Sequence, residues 1–175
     1  MSEQLLPGYI IRRGSALDRA LLLKFMQRTY QDLFPNEDFS HLEQTIRQYF
    51  SSDTPLWWVD FLGERVKKDQ EASTLSPSSH SPTSPIACLW VGNAIDQVQG
   101  NRHAHIFILY VVPEHRRRGI GTALMRYVEN WAIQRGDRQI GLQVFQSNKP
   151  ALNLYNQLGY QTQSLWMVKF LSAEK

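Results

Sequence analysis

The sequence contains one cysteine, Cys88, in 175 residues. No internal disulfide can form, so stability must come from a packed core, and the lack of a cysteine framework favours a reducing, cytoplasmic setting. Long apolar runs are missing as well. The longest, Ile106 to Val112, is seven residues, and a membrane-spanning helix needs roughly 20. The opening stretch MSEQLLPGYIIRRG has no apolar segment behind a basic start, which argues against a secretory signal. Excess charge is small too, with 19 Lys and Arg against 16 Asp and Glu. A net +3 spread along the chain gives no support for nucleic-acid binding. No cluster of Cys, His, Asp or Glu has metal-ligand spacing, so no metal is expected. What remains is 42% hydrophobic residues, enough for one ordinary domain spanning residues 1–175.

The pattern of elements is mixed. Tyr9 to Arg12 reads as a short strand, and Ser15-Ala-Leu-Asp18 matches a capping box. Leu21, Leu22, Phe25, Met26, Thr29 and Leu33 then recur at helical spacing, predicting a helix that ends near Pro35. Ser40 to Glu43 is expected to open a second helix in the same way, with Leu42, Ile46, Tyr49 and Phe50 on one face. Pro55 to Leu62, Ile86 to Val91, His105 to Val112 and Gln139 to Phe145 read as strands. Gly119 to Arg135 carries an apolar stripe of Ile120, Leu124, Tyr127, Val128 and Trp131, closed by Gly136. Pro150 starts a last helix with Ala151, Leu154, Tyr155 and Leu158 on one face. Tyr160 to Leu171 reads as one or two closing strands. The class is mixed α/β.

Residues 63–85 break this pattern, because serine, threonine and proline dominate after Ala72. Such a composition cannot bury enough surface to offset its ordering entropy, and a flexible excursion between two strands is expected.

The chemistry-bearing stretch is Val112-Pro-Glu-His-Arg-Arg-Arg-Gly-Ile-Gly-Thr-Ala-Leu124. Gly119 and Gly121 let backbone N–H groups approach a ligand closely, and the first turn of a helix leaves such groups unpaired. Arg116, Arg117 and Arg118 add attraction for an anion, so the physical reading is a pyrophosphate cradle. A P-loop would need Lys-Ser/Thr after its last glycine, and Thr122-Ala123 stands there. A dinucleotide fingerprint would need a third glycine where Leu124 stands.

Arg116-x-x-Gly119-x-Gly121 resembles the signature of the GNAT superfamily of N-acetyltransferases. The strand before it, the stretch Leu142 to Asn148, and Ala151-x-x-Leu154-Tyr155-x-x-Leu158-Gly159-Tyr160 extend the likeness over about residues 86–170. The resemblance implies a strongly twisted mixed sheet of six or seven strands flanked by about four helices. It implies acetyl-coenzyme A as co-substrate and an amine as acceptor. The cofactor would be held by the backbone at Leu109, Tyr110 and Val111, by the turn at Arg116, Arg117, Arg118, Gly119, Ile120, Gly121 and Thr122, and by Asn148. A β-bulge near Leu109, Tyr110 and Val111 would aim an N–H at the thioester oxygen. Tyr155 would be the general acid for the departing thiolate. Relatives of this kind often pair, so a homodimer is allowed.

The base is not given by the resemblance. Some members of the family carry a glutamate where Phe107 stands, and others carry an acid where Gln143 stands. An alkylammonium of pKa ~10.4 costs about 4.6 kcal/mol to neutralise at pH 7. His103, His105 and Glu114 are the candidates for a water-relayed proton transfer. Asp32, Glu37 and Asp38 could attract a cationic acceptor, and either Trp57 or Trp58 could line its pocket. The implied acceptor is a primary amine of a small molecule or amino-acid derivative. Acetylation of a protein N-terminus or lysine, or acyl-coenzyme A binding without turnover, are the alternatives.

Overall fold

The computed structural model describes residues 2–63 and 84–171. All but the ends of the segment 63–85 lies outside them. The chain divides into one compact unit running to Gln143 and a second from Val144 onward.

The first unit is a six-stranded sheet with three helices. The strands are β1 (Ser2–Leu6), β2 (Tyr9–Arg13), β3 (Leu56–Phe61), β4 (Ala87–Ile95), β5 (Arg102–Val111) and β6 (Ile140–Leu142). They lie in that spatial order, antiparallel except for the parallel β5–β6 pair. The sheet is therefore mixed. The helices α1 (Arg19–Leu33) and α2 (Leu42–Tyr49) precede β3, and α3 (Ile120–Gln134) joins β5 to β6. Side chains alternate across a strand. Leu56, Trp58, Cys88, Trp90, Ile108 and Tyr110 meet Leu22, Phe25 and Met26 of α1 and Leu42 and Ile46 of α2 in one core. The opposite face receives α3, where the Trp57 ring packs edge-on against Tyr127 and Trp131 at 5.7 and 5.4 Å.

Several sequence expectations need correction. The capping box at Ser15 forms, with the Ser15 amide donating to the Asp18 carboxylate at 2.7 Å. It opens a short 3-10 turn, and α1 begins one residue later. At the second helix the box does not form. Ser40 donates its amide and hydroxyl back to Asp38, at 3.0 and 2.9 Å, and α2 starts with no side-chain cap. Tyr49 is exposed, because it sits at the helix end beyond the buried Leu42–Ile46 stripe. β1 was not expected; its residues are polar or partly exposed, as an edge strand allows. β6 is three residues rather than seven.

The second unit holds α4 (Lys149–Gln157) followed by irregular chain. The expected closing strands at 160–171 are absent. Leu165, Trp166, Met167, Phe170 and Leu171 are each more than 70% exposed. The apolar run Leu165 to Val168 is present, but this unit has no strand among its described residues to complete a ladder.

Candidate active site

The site is built along β5 and the turn that follows it. Opposite Trp90 and Val91 of β4 stand Ile108 and Ile106, so Phe107 is an extra residue, a β-bulge. The bulge lies before the stretch Leu109 to Val111 where the sequence placed it. Gly92 accommodates it. A Cβ at position 92 would sit 2.1 Å from the Phe107 ring, which packs on Trp90 at 4.7 Å and Tyr49 at 5.8 Å between centroids.

β6 pairs with β5 only at Ala104, His105 and Ile106. Beyond that point β5 has no partner on this side among the described residues. Which peptide groups face the open side follows from the ladder. Val112 donates to the Ile86 carbonyl at 2.9 Å, which makes that a hydrogen-bonded pair, and the alternation of antiparallel pairs turns Val111 and Leu109 away from β4. Tyr110, in contrast, uses its peptide groups toward β4. Its ring is buried against Phe25 at 5.8 Å.

The turn has a distinct backbone. Pro113–His115 form a 3-10 turn, Arg117 has φ 62° and Gly119 has φ 80°. Gly119 caps α3 with no side-chain bond to its first turn. Two left-handed residues ahead of an uncapped helix form a concave array of N–H groups suited to an anion. A Cβ at Gly119 would meet only Leu6, at 4.0 Å, so the protein leaves this space open.

The three arginines differ in their engagements. Arg116 donates to the Val111 carbonyl at 2.8 Å and to Asp32 at 2.5 Å, and its guanidinium lies 5.3 Å from the Tyr110 ring centroid. It ties the turn to β5 and α1. Asp32 is thereby committed to an ion pair within the unit. Arg118 donates to the Tyr9 hydroxyl at 3.3 Å, and that hydroxyl also meets His115 Nδ1 at 3.0 Å. Arg117 is exposed.

On the face toward α2, His103 and His105 of β5 converge over Gly141 of β6. A Cβ at position 141 would lie 3.3 Å from His103 Nε2 and 3.5 Å from His105 Nδ1. Burial, and then the neighbouring His103, hold His105 below the ordinary histidine range. Their convergence depends on strand register and was not visible in the sequence. Glu114 is exposed. Trp58 is core, whereas Trp57 borders a cavity of about 310 Å³ with Ile11, Tyr127 and Trp131 on the opposite face. Cys88 is fully buried, which pushes its thiol up and leaves it unreactive.

In the second unit, Asn148 caps α4 by accepting from the Ala151 amide at 3.3 Å. Tyr155 contacts Tyr160 at 5.8 Å between ring centroids, and burial pushes its phenol up to about 12.

Residues 23–160 match the model of the acetyltransferase (GNAT) family. The chain belongs to this family. Among curated relatives, an uncharacterized N-acetyltransferase of Methanocaldococcus jannaschii is 31% identical over 107 residues, 60% of this chain and 44% of that protein. The thialysine N-epsilon-acetyltransferase of Mus musculus is 40% identical over 60 residues, 34% of this chain and 35% of that one. The chain thus spans less than half the length of these relatives. An acetyltransferase of Clostridium acetobutylicum, described as predicted and solved with acetyl-CoA, is similar in fold with TM-score 0.67 at 17% identity, covering 93% of this chain and 96% of that one. This GNAT chain has, among its described residues, no group of three or more His, Cys, Asp or Glu placed for a metal ion, and no helix long and apolar enough to cross a membrane.

Proposed function

We propose that this GNAT chain transfers an acetyl group from acetyl-coenzyme A to a primary amine of a small molecule or amino-acid derivative. The observation that carries this reading is the open edge of β5 beyond Ile106, leading into the uncapped turn at Gly119. An extended amide-bearing arm can pair with Leu109 as an added strand would. A pyrophosphate can sit on the N–H groups of residues 117–122.

The bulge at Phe107 supports an oxyanion role, since a peptide group released from the ladder can donate to the thioester oxygen as charge develops there. The resemblance assigns the leaving-group proton to Tyr155. A phenol near 12 stays protonated through the neutral range, so its hydroxyl is in place to donate as the C–S bond breaks, although burial makes it a weaker acid than a cysteine-like thiol of pKa ~8.5. Asn148 is assigned to the cofactor on the same basis. The mouse relative's acetylation of thialysine, itself an amine, agrees with the acceptor class.

The test is release of coenzyme A thiol from acetyl-coenzyme A in the presence of a panel of small primary amines. Amine-dependent release supports the reading. Tight acetyl-coenzyme A binding with no release on any amine, peptide N-terminus or lysine would make the chain a binding module.

A further inference from the structure

We propose that His105 is the base that takes a proton from the acceptor ammonium, with His103 positioning it. This inference rests on the acetyl-transfer reading above. A bulge or open edge organises the thioester, but neither removes a proton from an amine, and Phe107 and Gln143 have no basic group.

His105 stands two residues before the bulge, and its ring lies 5.7 Å from that of Phe107. It is partly buried and reachable, whereas His103 is 8% exposed and held from behind by Gln139, whose amide nitrogen lies 3.3 Å from His103 Nδ1. The other His103 ring nitrogen, Nε2, lies 3.3 Å from where a Cβ at Gly141 would sit. Such a Cβ would crowd that atom and touch His105 Nδ1 at 3.5 Å.

Burial, and then His103, hold His105 below the ordinary histidine range. Gly92 of β4 is its cross-strand neighbour, Gly141 of β6 flanks it, and Phe107 and then Tyr49 of α2 lie beyond. His103 is the titratable neighbour named by its influence on this ring. The Asp137 carboxylate, which accepts from the amide of Ala104 next to His105, is already paired with Arg135 and Arg102, and the imidazole keeps a nitrogen to accept a proton.

The step balances without a further reactant. His105 accepts one proton from R–NH₃⁺, and the amine lone pair attacks the thioester carbon to form the C–N bond. As the tetrahedral centre collapses, the C–S bond breaks. The nitrogen sheds its second proton and the thiolate gains one, giving amide and coenzyme A thiol. The imidazolium then releases its proton to solvent.

The experiment uses the full chain and the amine turned over fastest in the thiol-release panel. His105→Gln should lower kcat by ~10²-fold or more, while acetyl-coenzyme A affinity measured by calorimetry stays within about twofold. The wild-type acid limb of the kcat–pH profile should lie below ordinary histidine and vanish in this variant. His103→Gln removes a neighbour that lowers His105, so the limb should move to higher pH. A His105→Gln enzyme with wild-type kcat and an unchanged limb overturns the proposal. So does a parallel loss of cofactor affinity, which would make the ring structural. A chain that binds acetyl-coenzyme A but acetylates nothing overturns both this step and the reading beneath it.

Discussion

From Arg102 to Ile106, β5 runs against β4 on one side and gains β6 on the other at Ala104, His105 and Ile106. From Phe107 to Val111 it keeps β4, and among the described residues no strand covers its other edge. Both halves belong to one strand, the first carrying Arg102, His103 and His105 and the second hydrophobic throughout. They differ in what their outward peptide groups meet. In the first half those groups close a parallel ladder. In the second, Val111 gives its carbonyl to Arg116, and the half-buried Leu109 turns its peptide groups away from β4. An uncovered edge is ordinarily a hazard for aggregation. A short one, begun by a bulge and ended by an arginine bridge, is instead suited to holding one extended ligand.

The strongest way to break this comparison is to leave binding intact and remove the chemistry. Tyr155→Phe deletes only a hydroxyl. Steady-state assays should show kcat reduced by ~10²–10⁴-fold with little change in cofactor affinity. Retention of the wild-type rate, with chemistry rate-limiting, would return Tyr155 to a packing role.

The turn gives the next largest effect. Gly121→Val adds a branched side chain beside the phosphate position, and losing two charge-assisted hydrogen bonds of ~1.5 kcal/mol each should weaken acetyl-coenzyme A binding by roughly 100-fold. Calorimetry reads this directly. Gly119→Val is the poorer probe, because φ 80° strains any branched residue there and would disturb the turn itself.

Gly92→Ala tests whether the bulge divides the strand. Its Cβ would displace the Phe107 ring, and overpacking of this kind costs about 1–3 kcal/mol, or roughly 2–12 °C in Tm for a chain of this size. Turnover should fall further than stability alone explains. If the variant melts and turns over as wild type, Phe107 does not set the geometry of the open half.

Smallest is the replacement of residues 64–83 by a short Gly-Ser link. Closure entropy changes by only about 0.6 kcal/mol per doubling of length, so thermal melting should move little, and cofactor affinity not at all. A large loss of stability would show that the segment packs.

Local signals carried much of the architecture. The Ser15–Asp18 box, the α3 stripe and the glycine turn are set by neighbours a few residues apart, and each stands where the sequence put it. Features decided by partners far along the chain were not legible. The bulge falls at Phe107 because of β4 register. Arg116 is bound by Asp32, 84 residues away. The two histidines share a face by strand alternation, but only register brings Gly141 of β6 beside them. The apolar residues of 165–171 mimic a strand, but composition cannot supply the partner a strand needs.

Amide hydrogen exchange with and without acetyl-coenzyme A tests the central claim most directly, because it reads the two halves of β5 separately. The cofactor should slow exchange at Leu109 and at residues 119–122, while Ala104 and Ile106, already closed in ladders or bonded to Asp137, stay unchanged. Undiminished exchange at Leu109 under saturating cofactor, or equal protection of both halves, would contradict the account.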